Sequence, residues 1–370
     1  MYFQSYRNYQ HGQPSKIGVL VTNLGTPDAP TREALKIYLK QFLSDPRVVE
    51  PPPSRFIWHL ILNGIILNTR PQKSAEAYQT VWNQEGPGSP LLNISKRQLQ
   101  GIQERVQHSF AGDVVFELGM RYGNPSIPSA LESLQQQGCD QILVLPLYPQ
   151  YTAATTASTF DEVFDTLKTW RWVPEIRTIN HYHRHPGYIK ALAQSIRDYQ
   201  AEHGMPDLLV FSYHGIPKRY WDNGDPYPCH CFVTTRLVRE ELGLSEDQVT
   251  TTFQSRFGKE PWVQPYTDET MKALPKEGVK NVQVICPGFS ADCLETIEEI
   301  GEENRDYFLE AGGEKFGYIP CLNDRPDHLS ALSELIIKNI SGWSQPLDEN
   351  ELEKVKKNYT LRLKDSNQQT

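Results

Sequence analysis

The stretch Leu208-Leu209-Val210-Phe211-Ser212-Tyr213-His214-Gly215-Ile216-Pro217 decides the fold. Four apolar residues in a row, closed off by turn formers, read as a strand buried on both faces, which is the signature of parallel sheets covered by helices. Gly215 and Pro217 forbid its simple continuation. His214 is thereby placed at a strand's carboxyl end, where open α/β sheets bind their ligands.

Working outward, apolar runs of the same kind recur at 17–22, 114–118, 141–147, 175–179, 208–212, 249–253, 282–286 and 316–319. Between most of them lies helical periodicity, at 31–43, 125–137, 158–170, 187–201, 234–242, 267–274, 293–309 and 326–340. Alternating β and α elements predict parallel sheet with helices on both faces. Eight strands close one barrel or split into two open sheets of four, and 370 residues favour two cores over one. The expected lobes run from 16 to 170 and from 171 to 325. A helix at 326–341 packs back on the first lobe, and 342–370 reads as a polar tail.

A net charge of −8 and the absence of a basic block argue against nucleic acid as partner. Six cysteines scattered through a long chain suit a reducing compartment. Neither a signal-peptide core nor a run of about 20 apolar residues is present, so the expected location is the cytoplasm. One segment, Phe56-Ile57-Trp58-His59-Leu60-Ile61-Leu62-Asn63-Gly64-Ile65-Ile66-Leu67, breaks the α/β pattern. It reads either as a helix packed on the first lobe or as an exposed apolar lip for a hydrophobic ligand or a membrane face.

A second informative stretch follows the strand at 282–286: Cys286-Pro287-Gly288-Phe289-Ser290-Ala291-Asp292-Cys293-Leu294-Glu295, then Glu299 and Glu303. Spacing of i, i+4 and i+8 puts the three glutamates on one helical face. Like charges so placed repel, so a solvated acidic face competes with a path for cations or protons. His181, His183 and His185 share a face only in extended chain and read as structural. Cys229 and Cys231 flank His230 without a second pair at zinc-site spacing. Walker A, G-x-G-x-x-G and G-x-S-x-G signatures are absent from the sequence. What remains is a cleft histidine, a carboxylate ladder and aromatic positions.

Four motifs then resemble those of the ferrochelatases: Ser212-Tyr213-His214-Gly215-Ile216-Pro217, Gly224-Asp225-Pro226-Tyr227, Phe253-Gln254-Ser255-Arg256-Phe257-Gly258, and Trp262 with Pro265-x-Thr267-Asp268-Glu269. Asn23-Leu24-Gly25-Thr26-Pro27, Gly88-Ser89-Pro90-Leu91, Met120-Arg121-Tyr122 and Leu145-Pro146-Leu147-Tyr148-Pro149-Gln150-Tyr151 extend the likeness from about residue 16 to residue 340. The resemblance implies insertion of Fe2+ into protoporphyrin IX to give protohaem, the last step of haem biosynthesis. Two similar lobes are implied, each a four-stranded parallel sheet flanked by helices, with the active site between them.

By the same resemblance His214 is the proton acceptor or metal ligand and Glu295 its partner, with Asp292, Glu299 and Glu303 as relay. Metallation removes two pyrrole protons and strips water from iron, so a base near neutral pKa and nitrogen or oxygen ligands are the types required. Leu24, Tyr122, Tyr148, Trp262 and Phe289 are expected to contact the macrocycle, and Arg121 to pair with a propionate. Iron is substrate, and no tightly bound cofactor is expected. Animal members hold a two-iron, two-sulfur cluster, but the matching internal position here is Ala153 and no cysteine follows Cys321, so no cluster is expected. A monomer touching the inner membrane peripherally through 56–67 completes the expectation. The alternatives are a coproporphyrin III ferrochelatase, another tetrapyrrole chelatase, and a non-catalytic porphyrin or haem carrier.

Overall fold

The computed structural model describes residues 3, 15–50, 54–343, 350, 353–354 and 357–360. Most of the amino-terminal segment, Pro51-Pro52-Pro53 and much of the expected polar tail lie outside the described residues. Eight strands form where the apolar runs predict them. β1 (Lys16–Thr26), β2 (Val114–Gly123), β3 (Cys139–Pro146) and β4 (Glu175–Thr178) make one parallel sheet in the order β2-β1-β3-β4. β5 (Leu208–His214), β6 (Val249–Gln254), β7 (Asn281–Ile285) and β8 (Lys315–Ile319) make a second in the equivalent order β6-β5-β7-β8.

Alternation along the central strands explains the layers. Val19 and Val21 enter a core with Ile102, Leu332 and Ile336, while Leu20 between them packs on the opposite face with Ile127, Leu131 and Val163. In the second sheet Val210 meets Met271, Val284 and Phe308, whereas Leu209 and Phe211 join the same core as Val19. One core therefore runs between the sheets. The closing helix α13 (Pro326–Ile340) packs there against both α4 (Pro90–Ser109) and α7 (Pro186–His203).

Each sheet changes winding direction beside its first strand, between β1 and β3 and between β5 and β7. Ligand crevices open at the carboxyl ends of such strand pairs. The first carries Leu24 and Tyr148, and the second His214 and the segment leading to Glu295. Gly25 enables the close approach of β1 to β2: it has φ +102°, and a Cβ there would sit 1.7 Å from the Tyr122 carbonyl oxygen.

Two departures from the expected helices matter. The segment at 56–67 forms α2 (Arg55–Ile61), a π turn (Leu62–Ile66) and the start of α3 (Leu67–Val81). Pro71 lies inside α3 and cannot donate to the Leu67 carbonyl, and the widened turn before it is tied by the Asn68 amide to the Asn63 and Gly64 carbonyls, each at 3.0 Å. The helix expected over 293–309 is likewise broken, into α11 (Leu294–Ile297), a π turn (Glu299–Asn304) and α12 (Arg305–Glu310). The Asn304 amide donates to the Glu299 carbonyl at 2.7 Å across that wider turn. The even i, i+4, i+8 face drawn from the spacing is thereby corrected.

Candidate active site

His214 ends β5, and its Nδ1 lies 2.7 Å from the Gly215 carbonyl oxygen. A carbonyl only accepts, so Nδ1 carries the hydrogen and the Nε2 lone pair is left for a proton or a metal. Gly215 donates its N–H to the Gln254 carbonyl at 2.8 Å, and a Cβ on it would meet that oxygen at 2.9 Å and the Trp262 ring at 3.0 Å. Glycine is required for this turn to close. Trp262, 4% exposed, buttresses the turn from behind, and its ring lies 6.4 Å from the imidazole. Little of the surface of Trp262, expected to contact the macrocycle, is open to solvent.

Glu295 lies in the first turn of α11, half-buried, with Cys293 as the preceding cap. It lines a small cavity with Leu24, Tyr78, Ser89, Leu91 and Cys293. Leu24 and Phe289, one from each half, pack on the same cluster of Leu91, Ile94, Ala291 and Cys293. Glu299 is the most buried carboxylate of the ladder. Burial pushes its pKa up to about 7; the Ser255 hydroxyl holds it down and the Glu295 charge raises it further. Glu303 is exposed and accepts from the Tyr307 hydroxyl, so the three glutamates run from half-buried Glu295 and Glu299 to solvent. Glu298, also raised by burial, feels the charges of Glu303, Glu302 and Glu295.

Other expected residues are engaged differently. Arg121 donates from Nη2 to Asp45 at 2.7 Å, from Nη1 to Glu162 at 2.8 Å and from Nε to Ser158. Its guanidinium also lies 4.7 Å over the Tyr122 ring, and the Tyr122 hydroxyl donates to the same Asp45 at 2.8 Å. Arg121, expected to pair with a propionate, is already paired with two carboxylates. Asp292 accepts from the Tyr318 hydroxyl, from Thr296 at 3.0 Å, from the Asn323 amide at 2.7 Å and from the Cys321 N–H at 3.3 Å. It brackets the loop after β7 rather than offering a free oxygen to a relay. The phenol of Tyr148 is raised by burial at the end of β3.

Three histidines outside the site, His181, His183 and His230, cluster together. His183 and His230 rings lie 3.8 Å apart at 11°, with His181 at 5.0 and 4.9 Å, and burial pushes His183 down to about 3 and His230 to about 4. Nearly parallel rings cannot aim their in-plane lone pairs at one ion. Cys229 is exposed while Cys231 is buried. Among the described residues no group of three His, Cys, Asp or Glu side chains is arranged to hold a metal ion.

Sequence reasoning missed Arg70 of α3. It has no ion-pair partner among the described residues, lies 6.0 Å over the Phe257 ring of the second half, and surrounding packing lowers its pKa. Its neighbours Asn68, Thr69, Gln72 and Lys73 are polar, so the sequence offered no signal for it.

A family model described as Ferrochelatase matches residues 16–340. The chain belongs to the ferrochelatase family. It is 67% identical over 345 residues to the ferrochelatase of Hydrogenovibrio crunogenus, covering 93% of this chain and 91% of that one. The ferrochelatase of Marinobacter nauticus is 56% identical over 361 residues, covering 98% and 96%. Among solved structures, SirB from Bacillus subtilis with Fe3+ aligns with a TM-score of 0.53 at 14% identity, over 88% of this chain and 96% of that one. A second structure of the sirohydrochlorin chelatase SirB, from Bacillus subtilis subspecies spizizenii with cobalt, gives 0.51 at 13%, over 90% and 100%. That likeness shows the chelatase fold. As a ferrochelatase the chain is a metal chelatase, a lyase of haem and porphyrin biosynthesis that acts on a porphyrin and an iron ion. No helix among the described residues is long and apolar enough to cross a membrane.

Proposed function

We propose that this ferrochelatase inserts Fe2+ into protoporphyrin IX, with His214 and Glu295 as the groups that take protons and handle the metal. The observation that carries this reading is the His214 tautomer: Nδ1 is committed to the Gly215 carbonyl, so Nε2 presents its lone pair at the carboxyl end of β5. Metallation releases two protons from the pyrrole N–H groups as Fe2+ enters, leaving charge balanced. Nε2 accepts a proton or touches iron first, and Glu295 supplies the anionic partner. Glu299, with a pKa raised to about 7, passes protons toward exposed Glu303, because a group titrating near the working pH both accepts and releases.

Arg70 replaces Arg121 as the cation proposed to meet a porphyrin carboxylate. The proposed substrate is protoporphyrin IX, one of whose propionates the Arg70 guanidinium would pair with. Leu24 and Tyr148 supply the opposite wall. Phe56, Ile57, Leu60 and Ile65, between 50% and 70% exposed, form an apolar lip that we place against a membrane surface, with the enzyme a cytoplasmic monomer. No resident cofactor takes part.

Anaerobic assays with Fe2+ and either protoporphyrin IX or coproporphyrin III test this reading. Haem should form with a higher kcat/KM for protoporphyrin. A preference for coproporphyrin III would reassign the substrate. Porphyrin binding without metallation would mark a carrier instead. Replacing Phe56 and Leu60 by serine should abolish flotation with anionic vesicles.

A further inference from the structure

We propose that Gln254 and Ser255 are positioning residues for metallation, locking the His214 turn, the Glu295 backbone and the Glu299 carboxylate into one frame; the inference rests on the roles proposed above for those residues.

Gln254 ends β6 directly opposite His214 in the strand register and is 3% exposed. Each of its polar groups has a partner on a different element. Its carbonyl accepts from the Gly215 N–H at 2.8 Å, which holds the turn after His214. Its side-chain oxygen accepts from the Ser212 hydroxyl at 2.7 Å and lies 3.7 Å from the Cys286 thiol at the end of β7. Its amide nitrogen donates to the Glu295 carbonyl at 2.8 Å and to the Glu299 carboxylate at 3.4 Å. Only a primary amide offers acceptor and donor together at this reach. Glutamate would lose both donations and add a charge beside Glu299; methionine would keep the shape and lose every side-chain bond.

Ser255 completes the frame from an unusual backbone. Its φ is +66°, the left-handed region that costs a residue with a Cβ about 1 kcal/mol or more. In that conformation its N–H donates to one Glu299 oxygen at 2.7 Å and its hydroxyl to the other at 2.5 Å. Glycine would adopt this turn without strain. Serine gives up that ease and gains a second bond to the carboxylate.

The test compares wild type, Gln254→Met, Gln254→Glu and Ser255→Gly in anaerobic Fe2+ insertion into protoporphyrin IX, with porphyrin Kd from fluorescence quenching and Tm on the same preparations. Gln254→Met and Gln254→Glu are expected to lose about tenfold to 100-fold in kcat, while porphyrin KM and Kd stay within about twofold. Ser255→Gly keeps the backbone bond and relieves the positive φ, so its Tm should hold or rise while kcat falls about threefold or more. A slower enzyme that is no less stable is a result that a purely structural role does not give. Wild-type kcat in both Gln254→Met and Ser255→Gly overturns the proposal, and if Gln254→Met does not fold, Ser255→Gly decides alone. Absence of metallation by porphyrin-loaded wild type sinks the functional reading and the positioning role with it, whereas equal turnover in wild type and variants sinks the positioning role only.

Discussion

The two sheets share one strand order, yet their crevices carry opposite chemistry. At the first, β1 and β3 deliver Leu24 and Tyr148, and nearby Arg121 is ion-paired with both Asp45 and Glu162. At the second, β5 and the loop after β7 deliver an imidazole with a free lone pair and a row of carboxylates without cationic partners. Topology fixes where ligands bind, not what is done to them. On the proposed reading one half supplies a wall and the other the reactive groups.

The division is broken most directly by substitutions that separate turnover from stability. His214→Ala should lower turnover by about 100- to 10,000-fold, the usual worth of a positioned base, with the melting temperature little changed. Anaerobic haem formation followed by absorbance, beside a thermal melt, measures both. Asp45→Ala should do the reverse. It removes the acceptor shared by Arg121, Tyr122 and Ser158 from a site where the Asp45 side chain is 3% exposed, leaving a buried guanidinium short of its partner. Breaking such a pair costs about 3–5 kcal/mol, read as a lower denaturation midpoint, while turnover per folded molecule falls far less than in His214→Ala. Equal stability losses in the two variants would erase the distinction between the halves.

This contrast also governs what the sequence disclosed. The central strands were legible because buried parallel strands are plain apolar runs, and β5 differs from its expected extent only in reaching His214 itself. Helix α4 went unread, since its buried face includes polar Ser95 and Gln98. Their partners, Asn23 for Ser95 and the Ser290 and Asn323 carbonyls for Gln98, exist only in the folded chain. α3 was hidden by Pro71. The identities of His214 and Glu295 were legible as motifs, but the saturation of Arg121 and Asp292 was not, because a side chain's existing partners come from distant segments. Arg70 escaped for the converse reason: its significance is a missing partner.

A smaller effect comes from the charge burden of the second half. Burial raises Glu299 from 4.5 in the open chain to about 7, so the folded protein holds that proton more tightly than the unfolded one. Stability from this group is therefore fully present below pH 4.5 and is lost as pH rises through 7, up to about 3 kcal/mol in all. Glu299→Gln, always neutral, should unfold at higher denaturant than wild type at pH 8, with the gap closing toward pH 4.5. Its turnover should fall at the same time. Denaturant midpoints measured across that range check the sign, and a gap that widened on acidification would contradict it.

The smallest predicted effect probes the seam between the halves. Arg70 comes from α3 of the first half but lies over Phe257 of the second, with no ion-pair partner among the described residues. If that charge meets a porphyrin carboxylate, Arg70→Ala should raise KM for protoporphyrin about tenfold, equivalent to about 1.4 kcal/mol, with kcat unchanged, because the contact is made equally in ground and transition states. Arg70→Lys should recover only part of it, since a point charge cannot reproduce a two-pronged contact. Raising the salt concentration should weaken wild type toward Arg70→Ala while leaving the variant flat. An Arg70→Ala enzyme with reduced kcat and unaltered KM would move Arg70 from substrate capture to the chemistry, and the first half would then no longer be only a wall.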